Sequence, residues 1–135
     1  MVGVIIIGHG TLAQAMQDAV EHVLGTQQGM ESINVMVDDD PAAIQQQLNE
    51  SIARCDSGDG VIICADMFGG TPCNIALSHL NPDHIEIISG ISLPCLITIA
   101  TVRTTINDPN KIARKGGASG RRYLCLASKM LQQEA

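Results

Sequence analysis

The chain has 135 residues and a formal net charge of −6, and its length suits a single domain spanning residues 1–135. Residues 1–100 contain twelve Asp or Glu and one basic residue, Arg54, whereas residues 101–135 contain seven Lys or Arg and two acids. The acidic body argues against a nucleic-acid partner and permits a basic protein partner, and the near absence of aromatic residues disfavours single-strand binding and flavin sites.

The five cysteines indicate a reducing compartment. They are odd in number and widely spaced, with no C-x-x-C pair, which disfavours both a disulfide framework and a cysteine-ligated metal. The first apolar run is only about seven residues long and follows no basic segment, so it is interpreted as a strand and not as an export signal. We expect a cytoplasmic protein without a metal site or bound cofactor.

The first half of the chain alternates strand and helix patterns. The apolar run "VGVIIIG" predicts a buried strand, and "LAQAMQDAVEHVL" predicts a helix that Thr11 caps and Gly25 ends. "SINVMV" predicts a second strand. Asp40 is then expected to cap a helix that begins at Pro41.

The second half continues the alternation. "GVIICA" and "IEIIS" predict strands three and four, and "PCNIALSHL" and "GISLPCLITIATV" predict the helices that follow them. The glycine-rich "KGGASG" is expected to break the chain before a last segment, "RYLCLASKML", whose pattern fits either strand or helix.

Four strand–helix units predict an α/β fold that is doubly wound, with a mainly parallel sheet and helices on both faces. The commonest small topology of this kind has strand order 2-1-3-4, and ligands bind beyond the carboxyl ends of the strands at the switch point between strands 1 and 3. The loops that follow Ile7 and Ala65 should therefore face each other across one crevice.

Two titratable residues end these two strands. His9 follows strand 1 and Asp66 follows strand 3, and adjacent parallel strands lie about 4.8 Å apart. A carboxylate that accepts a proton from one imidazole nitrogen leaves the other nitrogen with a free lone pair, which is the orienting logic of a nucleophilic site. His9 and Asp66 are thus the candidate catalytic pair.

The surroundings of the pair favour phosphate as the group attacked. Gly69, Gly70 and Thr71 precede Pro72 at a helix start, where backbone N–H groups and a hydroxyl can bind an anion. Gly10, together with Gly8, is expected to keep Cβ atoms away from the approach to His9. Each feature also has an ordinary structural interpretation, as a loop histidine, a loop-capping carboxylate or a simple turn.

Other candidates are weaker. His22, His79 and His84 are interpreted as structural, and Asp38, Asp39 and Asp40 are expected to form a helix-capping turn more readily than a Mg²⁺ site. Neither a G-x-x-x-x-G-K-[ST] loop nor G-x-G-x-x-G is present, so the phosphoryl group should come from another protein and not from a bound nucleotide. The basic C-terminal segment is either a solvated surface or packed against the acidic body.

Three stretches, "VIIIGHGTLAQAM", "DMFGGTPCNIA" and "ISGISLPCL", resemble the mannose-family enzyme IIA component of the bacterial phosphoenolpyruvate-dependent sugar phosphotransferase system. The resemblance covers most of residues 1–105 in order and spacing. Ser92 stands where that family often has Asn, and the stretch from Ile106 onwards matches poorly.

The resemblance implies a phosphocarrier for sugar uptake. His9 would accept a phosphoryl group from phospho-HPr and pass it to a histidine of an enzyme IIB, with Asp66 as its hydrogen-bonding companion and with Thr71 and Asn74 beside the phosphate. The chain would meet the membrane sugar permease only through its partners. It also implies a homodimer in which an antiparallel edge strand, "RYLCLA" here, is exchanged between subunits.

Two alternatives remain open at this point. The chain could act as a regulatory protein of an incomplete phosphotransferase system, in which phosphorylation of His9 switches binding to another protein. It could also be the phosphoryl-donor subunit for dihydroxyacetone kinase, although the D-x-F-G-G-T-P loop fits the sugar system better.

Overall fold

A computed structural model describes residues 1–134 of the chain. Four strands and six helices follow one another in this order: β1 (Gly3–His9), α1 (Leu12–Leu24), β2 (Met30–Val35), α2 (Pro41–Cys55), β3 (Val61–Ala65), α3 (Thr71–Leu77), β4 (Ile85–Ser89), α4 (Leu93–Val102), α5 (Pro109–Tyr123) and α6 (Ala127–Glu134). No helix within these residues combines the length and hydropathy needed to cross a bilayer.

The strands form one parallel sheet in the order β2-β1-β3-β4, which confirms the predicted topology. Ile7 lies opposite Ala65 in the β1–β3 pair, and His9 lies opposite Val35 in the β1–β2 pair. This register brings the carboxyl ends of β1, β2 and β3 to one edge of the sheet, which we call the C-terminal edge.

Each face of the sheet packs against its own set of helices. Because side chains alternate along a strand, Val4 and Ile6 of β1 join a cluster with α1, α4 and α5, while Ile5 and Ile7 join one with α2 and α3. All four of these β1 side chains are fully buried. Each contributes about 1.5–3 kcal/mol relative to an exposed position, so the strand that ends in His9 is held firmly.

The helix starts are capped as predicted at one site and not at another. Asp40 accepts a hydrogen bond from Ala42 N–H (3.1 Å) and Pro41 begins α2. Thr11 precedes α1, but its side chain makes no capping hydrogen bond, so that prediction is wrong. Asn34 on the neighbouring strand β2 takes over, since its Oδ1 accepts the Gln14 N–H of the first turn (3.1 Å).

The glycine-rich stretch 115–120 does not break the chain, contrary to the prediction, but lies inside α5. A Cβ built on Gly116 would lie 2.6 Å from Ile99 Cγ1, and one on Gly120 would lie 3.4 Å from Cys95 Cβ. The glycines therefore allow α5 to pack closely against α4, and this packing outweighs the low helix propensity of glycine.

The predicted fifth strand is not part of the sheet within residues 1–134. Arg122 and Tyr123 end α5, residues 124–126 have no regular secondary structure, and α6 begins at Ala127. Leu124 and Leu126 are exposed and the outer edge of β4 pairs with no strand among these residues. A strand needs a partner for its backbone hydrogen bonds, so exchange with a second subunit stays a prediction.

Candidate active site

His9 is the last residue of β1 and lies at the C-terminal edge. The buried strand fixes its backbone, and Gly10 turns the chain away at once with a φ of +60°, a conformation that favours glycine. The backbone N–H of His9 donates a hydrogen bond to Asp66 Oδ2 (2.9 Å), and the imidazole Nδ1 lies 2.7 Å from the same oxygen. The predicted pair, 57 residues apart in the chain, is thus in direct contact.

Asp66 is held by more than the imidazole. Its Oδ1 accepts a hydrogen bond from Met67 N–H (2.9 Å), and its side chain is only 11% exposed, against 49% for that of His9. Burial raises the pKa of the carboxyl, but the hydrogen bonds from the His9 backbone, the His9 ring and Met67 outweigh burial, and the net result is a lowered pKa. Asp66 is therefore ionised at neutral pH.

The ionised carboxylate determines the form of the neutral imidazole. An ionised carboxylate only accepts hydrogen bonds, so Nδ1 of His9 carries the proton and Nε2 keeps its lone pair. Among residues 1–134, no side chain or backbone group makes a hydrogen bond with Nε2. The geometry leaves an imidazole nitrogen with a free lone pair on a half-exposed side chain at the C-terminal edge.

Gly70 forms one wall beside the ring. A Cβ built on Gly70 would lie 2.7 Å from His9 Cε1 and 3.2 Å from Nε2, so the imidazole occupies the space that any other residue would fill. The preceding residue, Gly69, has a φ of +88°, which glycine accommodates without strain. Both predicted glycines lie in the loop next to His9.

A cleft of about 440 Å³ opens on the other side of His9. Thr71, the exposed first residue of α3, contributes to its lining together with His9. The rest of the lining is mainly apolar and comes from the end of β2, the turn after it and the facing sides of α2 and α3, with Val35, Met36, Val37, Pro41, Ile44 and Ile75 among these residues. The site is accordingly a half-open groove with a polar end at His9 and Thr71.

Asn74 and Gly10, two of the predicted phosphate-binding residues, have structural roles in the loops beside His9. The side-chain amide of Asn74 donates to the Gly69 carbonyl (3.4 Å) and so braces the glycine loop from α3. At Gly10 a Cβ would meet no atom of the chain within 4 Å, and the positive φ of this residue favours glycine there. At Gly8 a Cβ would lie 3.4 Å from the Asp66 carboxyl carbon, so that glycine makes room for the carboxylate.

His84, His79 and Ser92 make contacts outside the His9–Asp66 site. His84 Nε2 lies 2.5 Å from Asp56 Oδ2 at the opposite edge of the sheet, a second His–Asp pair that spacing in the sequence did not suggest. His79 contacts Gln45, and burial lowers the pKa of its imidazole. Ser92 caps α4 by accepting from Cys95 N–H (3.4 Å).

The acidic turn at residues 38–40 forms local hydrogen bonds, as the sequence predicted for a helix-capping turn. Asp39 accepts from Met36 N–H (2.8 Å) and Asp40 caps α2, so these two carboxylates stabilise local structure.

Within residues 1–134 no group of three or more His, Cys, Asp or Glu side chains is placed to hold a metal ion. The basic C-terminal residues form no ion pair with the acidic body within the same range.

Comparisons with known proteins support one family. The family described as "PTS system fructose IIA component" matches residues 3–114. The mannose-specific EIIAB component of Escherichia coli K12 is 29% identical over 108 residues, or 78% of this chain, and the chain spans about a third (33%) of the length of that relative. The fructose-specific EIIA component of Bacillus subtilis is 25% identical over 104 residues, which cover 76% of this chain and 71% of the relative.

The fold is also found among solved structures. The phosphotransferase-system component EIIA from Streptococcus agalactiae superimposes with a TM-score of 0.86 over 96% of this chain and 99% of its own, at 20% identity. The family match over residues 3–114 includes β1, the glycine loop and both members of the His9–Asp66 pair. This chain belongs to the fructose and mannose IIA family of the bacterial sugar phosphotransferase system.

Proposed function

We propose that the chain is a phosphocarrier in which His9 accepts a phosphoryl group from phospho-HPr and passes it to a histidine of an enzyme IIB component during sugar uptake. The observation that carries the proposal is the 2.7 Å contact between His9 Nδ1 and Asp66 Oδ2, with Nε2 making no hydrogen bond to any residue from 1 to 134. Membership of the family supports a role as a phosphotransferase component.

The proposed transfer conserves charge and atoms without a metal or cofactor as reactant. The Nε2 lone pair of His9 attacks phosphorus, an N–P bond forms, and the N–P bond of the donor histidine breaks with its electron pair returning to the donor ring. The proton on Nδ1 stays in place, so the phosphorylated ring is an imidazolium. The ionised Asp66 stabilises that positive charge.

The loop beside His9 is proposed to bind the phosphoryl oxygens. Backbone N–H groups of Gly69 and Gly70 and the N–H and hydroxyl of Thr71 lie at the start of α3, and Gly70 approaches within contact distance of the ring. We propose that Asn74 helps by holding this loop through Gly69 and that Gly10 helps by turning the chain out of the way.

We also propose that the chain acts in the cytoplasm as a homodimer that exchanges residues 122–127. The free thiols of all five cysteines agree with a reducing compartment. The outer edge of β4 and α5 form a groove that includes Ile88, Gly117 and Arg121, while Leu124 and Leu126 are exposed. An extended segment from a second copy would pair with that edge and cover these side chains.

The test is phosphorylation in a reconstituted relay. The full chain incubated with phosphoenolpyruvate, enzyme I and HPr should gain one acid-labile, base-stable phosphate, and His9→Ala should abolish the labelling. His22→Ala is the matched control, since His22 is an exposed histidine in the last turn of α1, away from the C-terminal edge, and it should label like the parent protein.

The outcomes separate the functional alternatives. Labelling of His9→Ala at the parent level would contradict the proposal. Onward transfer to an enzyme IIB would support the carrier role, transfer to dihydroxyacetone kinase subunits would support the donor alternative, and a phosphorylated chain that transfers to neither but changes its binding partners would support a regulatory role.

A further inference from the structure

Helix α5 presents a basic face to the solvent. Lys111, Arg114, Lys115 and Arg122 are exposed, and at 100° per residue their positions fall within about a third of the helix circumference. The opposite side carries the buried residues that pack on the sheet and on α4, among them Ile112. We call the exposed side the basic face of α5.

The positive charge of this region is not offset within the chain. Residues 109–133 contain six Lys or Arg and no Asp or Glu, and none of the six forms an ion pair with a residue between 1 and 132. Lys111 lies in the first turn of α5, at the positive end of the helix dipole. Like charges three or four positions apart, as at Lys111, Arg114 and Lys115, repel one another. The stability of α5 therefore does not explain this arrangement.

Helix α6 adds apolar side chains next to this charge. It begins only four positions after α5 ends, and every residue from 121 to 132 is exposed. Lys129 lies on α6 together with Met130 and Leu131, whose side chains are 44% and 68% exposed. Basic helices with exposed apolar side chains are typical of segments that lie in the interface of an anionic membrane.

The complement of this surface must supply negative charge and hydrocarbon together. The basic face extends about 17 Å from Lys111 to Arg122, at 1.5 Å per residue. An anionic bilayer offers phosphate groups over a plane that is wide enough for the whole face, and acyl chains lie directly below these phosphates. Lysine and arginine can therefore pair with phosphates while the apolar side chains of α6 leave the water.

We propose that the basic face of α5 and helix α6 bind the surface of an anionic phospholipid membrane directly. Lysine and arginine side chains pair with lipid phosphates, and Met130 and Leu131 insert between the acyl chains. The contact is reversible, because it involves a few charges and two apolar side chains. It uses no residue of the His9–Asp66 site, so the inference does not depend on the proposed phosphoryl transfer.

The test measures binding of the full chain to vesicles by co-sedimentation. Vesicles of phosphatidylcholine alone are compared with vesicles that contain about 30% phosphatidylglycerol, at low and high salt. The double variant Lys111→Gln/Lys115→Gln removes two positive charges from the basic face, outside residues 122–127 that we propose to be exchanged. Gln46→Glu/Gln47→Glu is the control with the same change in net charge, at exposed positions of α2 on the other face of the sheet.

We expect the parent chain to bind the phosphatidylglycerol vesicles and not those of phosphatidylcholine, and we expect high salt to release it. Lys111→Gln/Lys115→Gln should weaken binding about thirtyfold, because each basic residue at an anionic surface contributes a factor of about five. Lys111→Arg/Lys115→Arg and the α2 control should bind like the parent. Leu131→Ser should weaken binding about fivefold, whereas Leu80→Ser, at an exposed leucine after α3, should not.

The proposal is overturned if both kinds of vesicle bind equally, if the parent binds neither at low salt, or if the two charge variants lose binding to the same extent. Size-exclusion chromatography without vesicles tests a second copy as the occupant. A change of oligomeric state in Lys111→Gln/Lys115→Gln would show that another copy covers the basic face, and the membrane assignment would be wrong. Labelling of His9 by phosphorylated HPr in solution should be equal in both charge variants, which separates this test from that of the proposed function.

Discussion

At the scale of single residues, the Asp66 carboxylate makes hydrogen bonds with both the backbone and the ring of His9. Asp66 Oδ2 accepts from both the backbone N–H and the ring of His9, so it fixes the end of β1 as well as the imidazole orientation. Its hydrogen bonds keep its pKa low in spite of burial, and the retained negative charge lies against Nδ1 of the ring that would become cationic in the proposed transfer. We propose that this charge distinguishes the site from a merely well-placed histidine.

The first prediction concerns that charge. Asp66→Asn keeps the shape of the side chain but removes the negative charge, so the rate of phosphorylation by phosphorylated HPr should fall about 100-fold. The free energy of unfolding should fall by only about 1 kcal/mol, since the substitution weakens charge-assisted hydrogen bonds without opening a cavity. Quench-flow kinetics and urea denaturation measure the two quantities.

Asp108→Asn provides the control for this substitution. Asp108 is a carboxylate at the start of α5, away from His9, that accepts the backbone N–H groups of Asn110 and Lys111. Its amide should show a comparable stability change and little change in rate. A rate for Asp66→Asn equal to that of the Asp108 variant would remove Asp66 from the mechanism.

At the scale of elements, helix α5 shows how packing overrides local preference. Three glycines in a stretch of six residues predict a loop, yet the structure has a continuous helix. Because glycine has no side chain, α5 can pack closely on α4, and this packing stabilises the helix. Gly116 faces Ile99 at a distance that no Cβ can occupy. Its neighbour Gly117 is less crowded, with a built Cβ at 3.6 Å from Ile88 Cδ1, which is ordinary contact.

The second prediction uses this pair of neighbours. Gly116→Ala should lower the free energy of unfolding by about 1–2 kcal/mol, because overpacking against Ile99 exceeds the gain in helix propensity. Gly117→Ala should raise it by about 0.5–1 kcal/mol, because the gain in propensity meets no clash. Chemical denaturation of both variants measures the difference, and two changes of the same sign would contradict the close packing of α5 on α4.

At the scale of the whole molecule, carboxylates tie distant segments together at both edges of the sheet. Asp66 joins β3 to β1, Asp56 joins the end of α2 to the turn that holds His84, and Glu31 on β2 binds Arg54 of α2. Burial raises the pKa of Asp56, but the hydrogen bonds from Gly58 N–H, the His84 ring and Gly60 N–H outweigh burial, so the net pKa is lowered. The hydrogen bond from Arg54 is the main cause of the lowered pKa of Glu31.

The third prediction follows from these directions. A carboxyl whose pKa is lower in the folded than in the unfolded state stabilises the fold above its unfolded pKa, about 4, and this contribution is lost as the pH falls through the folded value. These carboxyls should therefore add no pH dependence to the free energy of unfolding near pH 7 and should decrease it below about pH 4. Asp56→Asn should cost about 1 kcal/mol at pH 7 and less at pH 3, because below the unfolded pKa of about 4 the unfolded parent chain binds a proton at this carboxyl.

Urea denaturation across this pH range measures the effect. Asp83→Asn is the matched control, because Asp83 is exposed and its substitution should leave the pH dependence unchanged. A stability profile of Asp56→Asn parallel to that of the parent would show that the Asp56–His84 contact does not contribute to acid sensitivity.

Much of the site was predictable because its parts are local in the chain. Apolar runs predict the four strands, and the alternation with helices predicts the sheet order. Residues that directly follow neighbouring strands, His9 and Asp66, are then expected at one edge. Asn34 could not be found in this way, since its capping role depends on how β2 lies against the start of α1.

What the sequence by itself determined is the order of the strands and the edge at which the titratable residues lie, because buried strands and capping residues are encoded within a few neighbouring positions. Only the tertiary structure decided that Asp66 contacts the ring as well as the backbone of His9, that Gly70 makes room for the ring, and that α5 runs unbroken through its glycines. These outcomes depend on distances of a few tenths of an ångström between segments far apart in the chain. Such distances follow from how the helices pack on the sheet and not from any local pattern.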